Sequence, residues 1–290
     1  MTVTRRQIVR SSYRLLGGLI LVYLLTRIDF QVLWDHLRRV RLWPLLLSAL
    51  LVAPMTLGKA YRWRIFLQDY GIDLSLLQTL LIYFKGYSLG TVTPGQIGEL
   101  VKIYEVQRLL PEAKRDQVFW TIVNDRVYDL TVLWLFCLPA FFFGRMPLRL
   151  PFWLLLALSG LSIALAYCPN LPFRFMRQRR PVQMNRRYGL NLALSIAVTL
   201  VILVRSVLVF QAVRVPVSMW EVALFQPLVN VVSLLPISIS GFGTREAVLI
   251  YFFAPFGVAA EQMMAVGLLM GLLFFILNGL IGSVLIALKR

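Results

Sequence analysis

Apolar stretches near membrane-spanning length recur along the whole chain, at about 12–37, 43–67, 74–93, 95–110, 118–143, 148–169, 189–212, 219–240, 241–257 and 262–288. A helix needs about 20 apolar residues to cross the hydrocarbon core, and an open sheet edge cannot satisfy its backbone polar groups there. Such a run of segments specifies an all-α polytopic integral membrane protein, with 1–290 a single transmembrane domain. Composition agrees: 59% of residues are hydrophobic and 15% charged, against about 25% charged in soluble domains. Four arginines (Arg5, Arg6, Arg10, Arg14) precede the apolar run 15–26, and no small-residue cleavage pattern follows. The N-terminus therefore reads as a retained anchor and not as a signal peptide.

There are 30 Lys and Arg against 13 Asp and Glu, a formal charge of +17. The bases lie between apolar runs and not along one polar face, which excludes a nucleic-acid partner and points to anionic or phosphate-bearing membrane lipids. One histidine (His36) and two cysteines (Cys137, Cys168), with no close spacing, give no basis for a zinc site, a disulfide framework or a Cys-His nucleophile. No metal, no cofactor and no enzymatic activity is expected.

Orientation follows the excess of Lys and Arg in short cytoplasmic loops. Six arginines lie in 172–188 (Arg174, Arg177, Arg179, Arg180, Arg186, Arg187) with no acid among them. Both termini are expected in the cytoplasm of a bacterial inner membrane, with 18 bases inside and 7 outside; Arg38, Arg39 and Arg41 run against the rule. The segment 29–43, DFQVLWDHLRRVRLW, mixes aromatics with bases and suits a helix lying in the interface.

The stretches 95–110 and 241–257 are too short to cross. Each follows a piece broken by Pro and Gly, TVTPGQIGE at 91–99 and LLPISISGFGTRE at 234–246, as a broken or re-entrant helix hairpin does. ELVKIY at 99–104 and EAVLIY at 246–251 share Glu, Val, Ile and Tyr at an offset of 147, about half the chain. The same shift lays apolar stretches on apolar stretches, giving half repeats 1–143 and 148–290. Three full spans plus one hairpin per half (72–110 and 216–257) make the halves enter the membrane from opposite sides. The expectation is an inverted-topology repeat with alternating access around a midplane site.

Glu99, Lys102, Asp125, Arg126, Asp129, Arg245 and Glu246 lie at or inside apolar segments. A charge at the bilayer centre costs about 2.5 to 3.5 kcal/mol even on the lenient insertion scale, so these are candidate site residues. The alternative is local neutralisation, since Glu99 with Lys102 and Arg126 with Asp129 are i,i+3 pairs. Arg245 and Glu246 are adjacent, point in different directions and need partners elsewhere. Pro94, Gly95 and Gly98, and Gly241 with Gly243, allow sharply turned backbone whose N–H groups approach an anion. A hairpin with no ligand explains the glycines equally well. In GKAYRWRIF, Lys59, Arg62 and Arg64 fit snorkelling interface anchors or phosphate capture alike.

Three motifs carry a resemblance: Arg62-Trp63-Arg64, Pro94-Gly-x-x-Gly-Glu-x-x-Lys102, and Gly241-x-Gly-x-Arg-Glu246, with Asp125-Arg126 as a fourth element. The chain resembles, over nearly its whole length, flippase-like membrane proteins whose domain is shared with the transmembrane region of lysylphosphatidylglycerol synthases. That family tends to have Glu-Arg at Asp125-Arg126, Arg at Lys102 and Gly-Gly at Ser240-Gly241. The resemblance implies an integral membrane protein that moves or presents lipids. No polar domain the size of the synthases' aminoacyl-transfer domain is encoded in these residues.

The expected function is a flippase or transporter for a phospholipid or polyprenyl-phosphate-linked lipid. Arg245, Lys102 and Arg126 would meet the phosphate, and Glu99 and Glu246 would hold those cations in the empty site or carry a coupling proton. The alternatives are a membrane-embedded transferase acting on a lipid phosphate, and a channel or non-transporting partner subunit.

Overall fold

The structure is a computed structural model that describes residues 18–91, 93–143, 187–233, 238 and 241–287. The apolar stretch 148–169, the arginines of 172–186, the N-terminal arginines and Ser240 lie outside the described residues. Among the described residues every regular element is helical. They are α1 (Gly18–Arg27), α2 (Phe30–Arg38), α3 (Leu42–Leu50), α4 (Val52–Asp69), α5 (Leu76–Thr91), a 3₁₀ helix (Pro94–Leu100), α6 (Val101–Leu109), α7 (Arg115–Phe143), α8 (Arg187–Val213), α9 (Met219–Ser233), α10 (Thr244–Phe253) and α11 (Ala260–Ala287).

Two stretches are long and apolar enough to cross a membrane: Leu42–Asp69, 28 residues through α3 and α4, and Gly189–Val213, 25 residues in α8. They run antiparallel. The Arg41 N–H donates to the Ala212 carbonyl at 2.9 Å. In the middle, Arg205 Nε donates to the Ser48 carbonyl at 2.9 Å. At the far end Arg187 meets Asp69 at 3.0 Å. These contacts define two ends of the helix bundle, which we call the 69/187 end and the 41/212 end.

The first hairpin, α5 to α6, starts and finishes at the 69/187 end, where Ile72, Leu74 and Ala113 share one core with Val118 and Trp63. A Lys85–Glu105 ion pair at 3.1 Å ties its arms together. The second hairpin, α9 to α10, starts and finishes at the 41/212 end, where Gln262 Nε2 donates to the Arg214 carbonyl at 3.1 Å. Its arms are held by aromatics: Phe225 packs on Phe252, Phe253 and Phe256. Thus α4 leads to the end where the first hairpin starts and finishes, and α7 leaves from that end. By contrast α8 leads to the end where the second hairpin starts and finishes, and α11 leaves from there.

α2 forms where the sequence suggested a surface helix. Asp29 caps it, its side chain accepting from the Gln31 N–H at 2.8 Å. Leu33 is buried against α11, while Phe30, Val32 and Trp34 are exposed, and Arg38 lies 5.0 Å from the Trp34 ring.

Candidate functional site

α4 and α7 cross antiparallel with polar groups in matching rows. Trp63 Nε1 donates to Thr121 Oγ1 at 3.0 Å, Arg62 meets Asp125 at 2.6 Å and Asp129 at 2.7 Å, and Lys59 meets Asp129 at 3.0 Å. Residues 121, 125 and 129 are spaced i,i+4, so they form one row on α7. The Arg62 fork is filled completely, with Ser195 of α8 accepting from Nη1 at 2.6 Å. Arg62 and Lys59 are buried. Neither is the snorkelling anchor considered from the sequence: both turn inward because α7 presents carboxylates at the depth they reach. Arg64 is the member of that motif at the surface, its Nε donating to the Leu74 carbonyl at 2.7 Å.

Tyr83 links this row to the first hairpin. Its hydroxyl donates to Asp125 Oδ2 at 3.3 Å, and its ring lies 3.8 Å from Lys102 Nζ, which also sits 5.1 Å from the Trp63 ring. Lys102 is buried, and a desolvated cation on an aromatic face gains about 2 kcal/mol. Lys102 pairs with Glu99 at 3.0 Å, so the i,i+3 neutralisation expected for this pair is formed. The one expected for Arg126 with Asp129 is not. Arg126 turns to the hairpin and pairs with Glu99, while Asp129 belongs to α4's cations. Residues three apart are about 60° apart around a helix, enough for α7 to serve two neighbours with them.

The hairpin turn explains why small residues stand here. The Gly98 N–H donates to Thr93 Oγ1 at 2.8 Å, and a Cβ on Gly98 would come 2.3 Å from the Leu89 carbonyl oxygen. Glycine is therefore required for the chain to fold back. Gln96 adopts a left-handed φ of 57° at the tip. Pro94 opens the 3₁₀ turn and Gly95 follows it. On α5, Gly86 and Gly90 make room for Lys102 and Glu99: added Cβ atoms would lie 2.6 Å from Lys102 Cγ and 2.9 Å from Glu99 Cγ.

Arg245, Glu246, Gly241 and Gly243 form a second group, on the second hairpin and packed against α11. Gly241 and Gly243 have φ of 79° and 83°, a backbone that favours glycine. Glu246 is buried, and its Oε2 accepts from the Gly243 N–H at 2.6 Å, so one partner is its own helix start. Arg245 extends past Gly271 and the Phe242 ring, 5.9 Å from that ring's centre, with Nη1 3.5 Å from the Gly267 carbonyl. Among the described residues no ion pair joins this group to the first.

In the first group Lys59, Arg62, Lys102 and Arg126 face Glu99, Asp125 and Asp129: four cations against three carboxylates. Arg126 is the accessible cation of the set, with 26% of its side chain exposed while those of Arg62 and Lys102 are fully covered. Lys59 stood in a sequence motif but not among the candidate site residues. Tyr83 and Ser195 had no sequence signal, because a hydroxyl in an apolar helix is ordinary until its partner is known.

The profile of the family described as lysylphosphatidylglycerol synthase TM region matches residues 12–282. The chain belongs to this family. It is an integral membrane protein, and the family ties it to membrane lipids. It is also similar to a UPF0104 membrane protein of Pyrococcus horikoshii, 29% identical over 102 residues. That match covers 34% of this chain and 30% of the relative, so it spans under a third of the relative's length.

Proposed function

We propose that this protein is a transporter, not an enzyme, and that it flips a lipid with a phosphate-bearing headgroup across a bacterial cytoplasmic membrane, both its termini lying in the cytoplasm. The observation that carries this reading is the surplus cation of the first group, exposed at Arg126 beside a glycine-rich hairpin turn. Arg126 and Lys102 share the single carboxylate Glu99. A phosphate arriving at Arg126 would take over one of these pairings, with charge-assisted hydrogen bonds of its own. The tail stays in lipid. Lys59, Arg62, Asp125 and Asp129 satisfy one another and act as the frame on which the site rests.

The opposed hairpins support an alternating-access reading. One opens at the 69/187 end and one at the 41/212 end, each between a helix arriving at that end and a helix leaving it. Halves related in this way form inverted repeats with re-entrant hairpins, and rocking of one against the other exposes the site to alternate sides. Arg245, at the second hairpin, supplies a cation to the opposite side of that cycle.

The test is reconstitution into liposomes with a panel of labelled phospholipids and polyprenyl phosphates. Wild type is expected to accelerate exchange of one phosphate-bearing class. Arg126→Gln and Arg245→Gln are expected to stay monodisperse and to lose it. A well-folded Arg126→Gln protein with full activity refutes phosphate capture at this site.

A further inference from the structure

We propose that Glu246 is the proton-binding group of this protein, taking up one proton per cycle from water on one side of the membrane and releasing it on the other. The proposal rests on the transport reading and adds its energy source. The step makes one O–H bond at Glu246 Oε1 from a hydronium proton, and breaks that bond to water on the opposite face. No other atom changes partner covalently.

The geometry that points here is an orphaned oxygen. Glu246 is completely buried, its Oε2 is held by the Gly243 N–H, and its Oε1 is buried with no hydrogen-bond partner. No ion pair reaches it among the described residues. Arg245 is the neighbouring charge on its own helix, and its guanidinium is directed to Gly241, Phe242 and Gly271. From α11, the surface over Glu246 is Gly267, where an added Cβ would stand 2.9 Å from Oε1. The acid of described α11, Glu261, lies at its start beside the Asp29 N–H. α9 contributes Glu221, which accepts from Ser218 at the beginning of that helix. A buried carboxylate that no ion pair reaches, with one oxygen lacking a hydrogen bond, is costly by several kcal/mol, and the neutral acid removes that cost. Glu99 is the corresponding residue of the first half, and both of its oxygens meet cations. Of these two glutamates, Glu246 is the one with an oxygen left for a proton.

The probe is dicyclohexylcarbodiimide, an apolar reagent that adds to protonated carboxyls in membranes, applied to the wild-type full chain in liposomes at a series of pH values. Peptide mass spectrometry then locates the adduct. The expected result is modification of Glu246 that rises severalfold from alkaline to acid pH, with Glu99, Asp125 and Asp129 unmodified. Absence of an adduct at Glu246 at acid pH, or an adduct whose yield ignores pH, overturns the proposal. The labelling needs no lipid substrate, so its failure leaves the transport reading standing, and failure of every lipid in the panel leaves the labelling result standing. In the coupled assay, a pH gradient is expected to drive wild-type lipid movement. Glu246→Gln, which keeps an acceptor for the Gly243 N–H, is expected to lose that drive. Movement by Glu246→Gln that still follows the gradient also overturns it.

Discussion

In the first hairpin Lys102 lies over Gly86 and Glu99 over Gly90, one helical turn apart on α5; in the second, Glu246 lies over Gly267 and Arg245 over Gly271, one turn apart on α11. Both halves use a Gly-x-x-x-Gly seam to let a charged pair lie flat against a neighbouring helix, as small residues do where helices approach closely in membranes. The seams differ in ownership. In the first half the seam belongs to the hairpin's own first arm, so the charges stay within the hairpin and turn onward to α7. In the second half it belongs to the helix after the hairpin, so the charges fill the hairpin–α11 contact. The halves therefore share a device but not an electrostatic outcome: one glutamate has two cations and the other has a backbone N–H.

The largest effect is expected where the halves differ most, in the α4–α7 row. Asp125→Ala removes one of the two carboxylates of a fully buried Arg62, leaves Asp129 to serve both Arg62 and Lys59, and is expected to cost about 3 to 5 kcal/mol, read as a lower unfolding midpoint in detergent. The position 147 residues on is Leu272, which is exposed. Leu272→Ala should change stability by less than about 0.5 kcal/mol. Equal losses at the two positions would show that the α4–α7 ion pairs are not what holds the first half.

A direct contrast comes from neutralising each glutamate. Glu99→Gln leaves Lys102 and Arg126 facing a neutral amide and is expected to cost about 3 kcal/mol. Gly98→Ala follows, at about 1 to 3 kcal/mol for forcing the turn apart, because the obstruction is backbone and not a movable side chain. Smallest is Glu246→Gln, expected within about 1 kcal/mol of wild type, since the amide oxygen still accepts from Gly243 and no ion pair among the described residues is broken. If Glu246→Gln destabilises as much as Glu99→Gln, Glu246 has an ionic partner and the contrast between the halves fails.

By itself the sequence determined the membrane-embedded helical class, because apolar stretches of spanning length admit little else. It also located both hairpin breaks, since Pro and Gly act on the backbone locally wherever the chain goes. Its charged residues in apolar segments had to find partners, because burying an unpaired charge is costly in any fold. Which charge pairs with which was decided only in three dimensions. Glu99 and Lys102 meet as their spacing suggests, but Arg126 and Asp129 separate because α7 lies between two neighbours with opposite demands. Arg62 finds Asp125 63 residues away and Ser195 133 residues away. Such pairings depend on which helix faces lie together at the same depth, and helical periodicity along one segment carries no information about the segment packed against it.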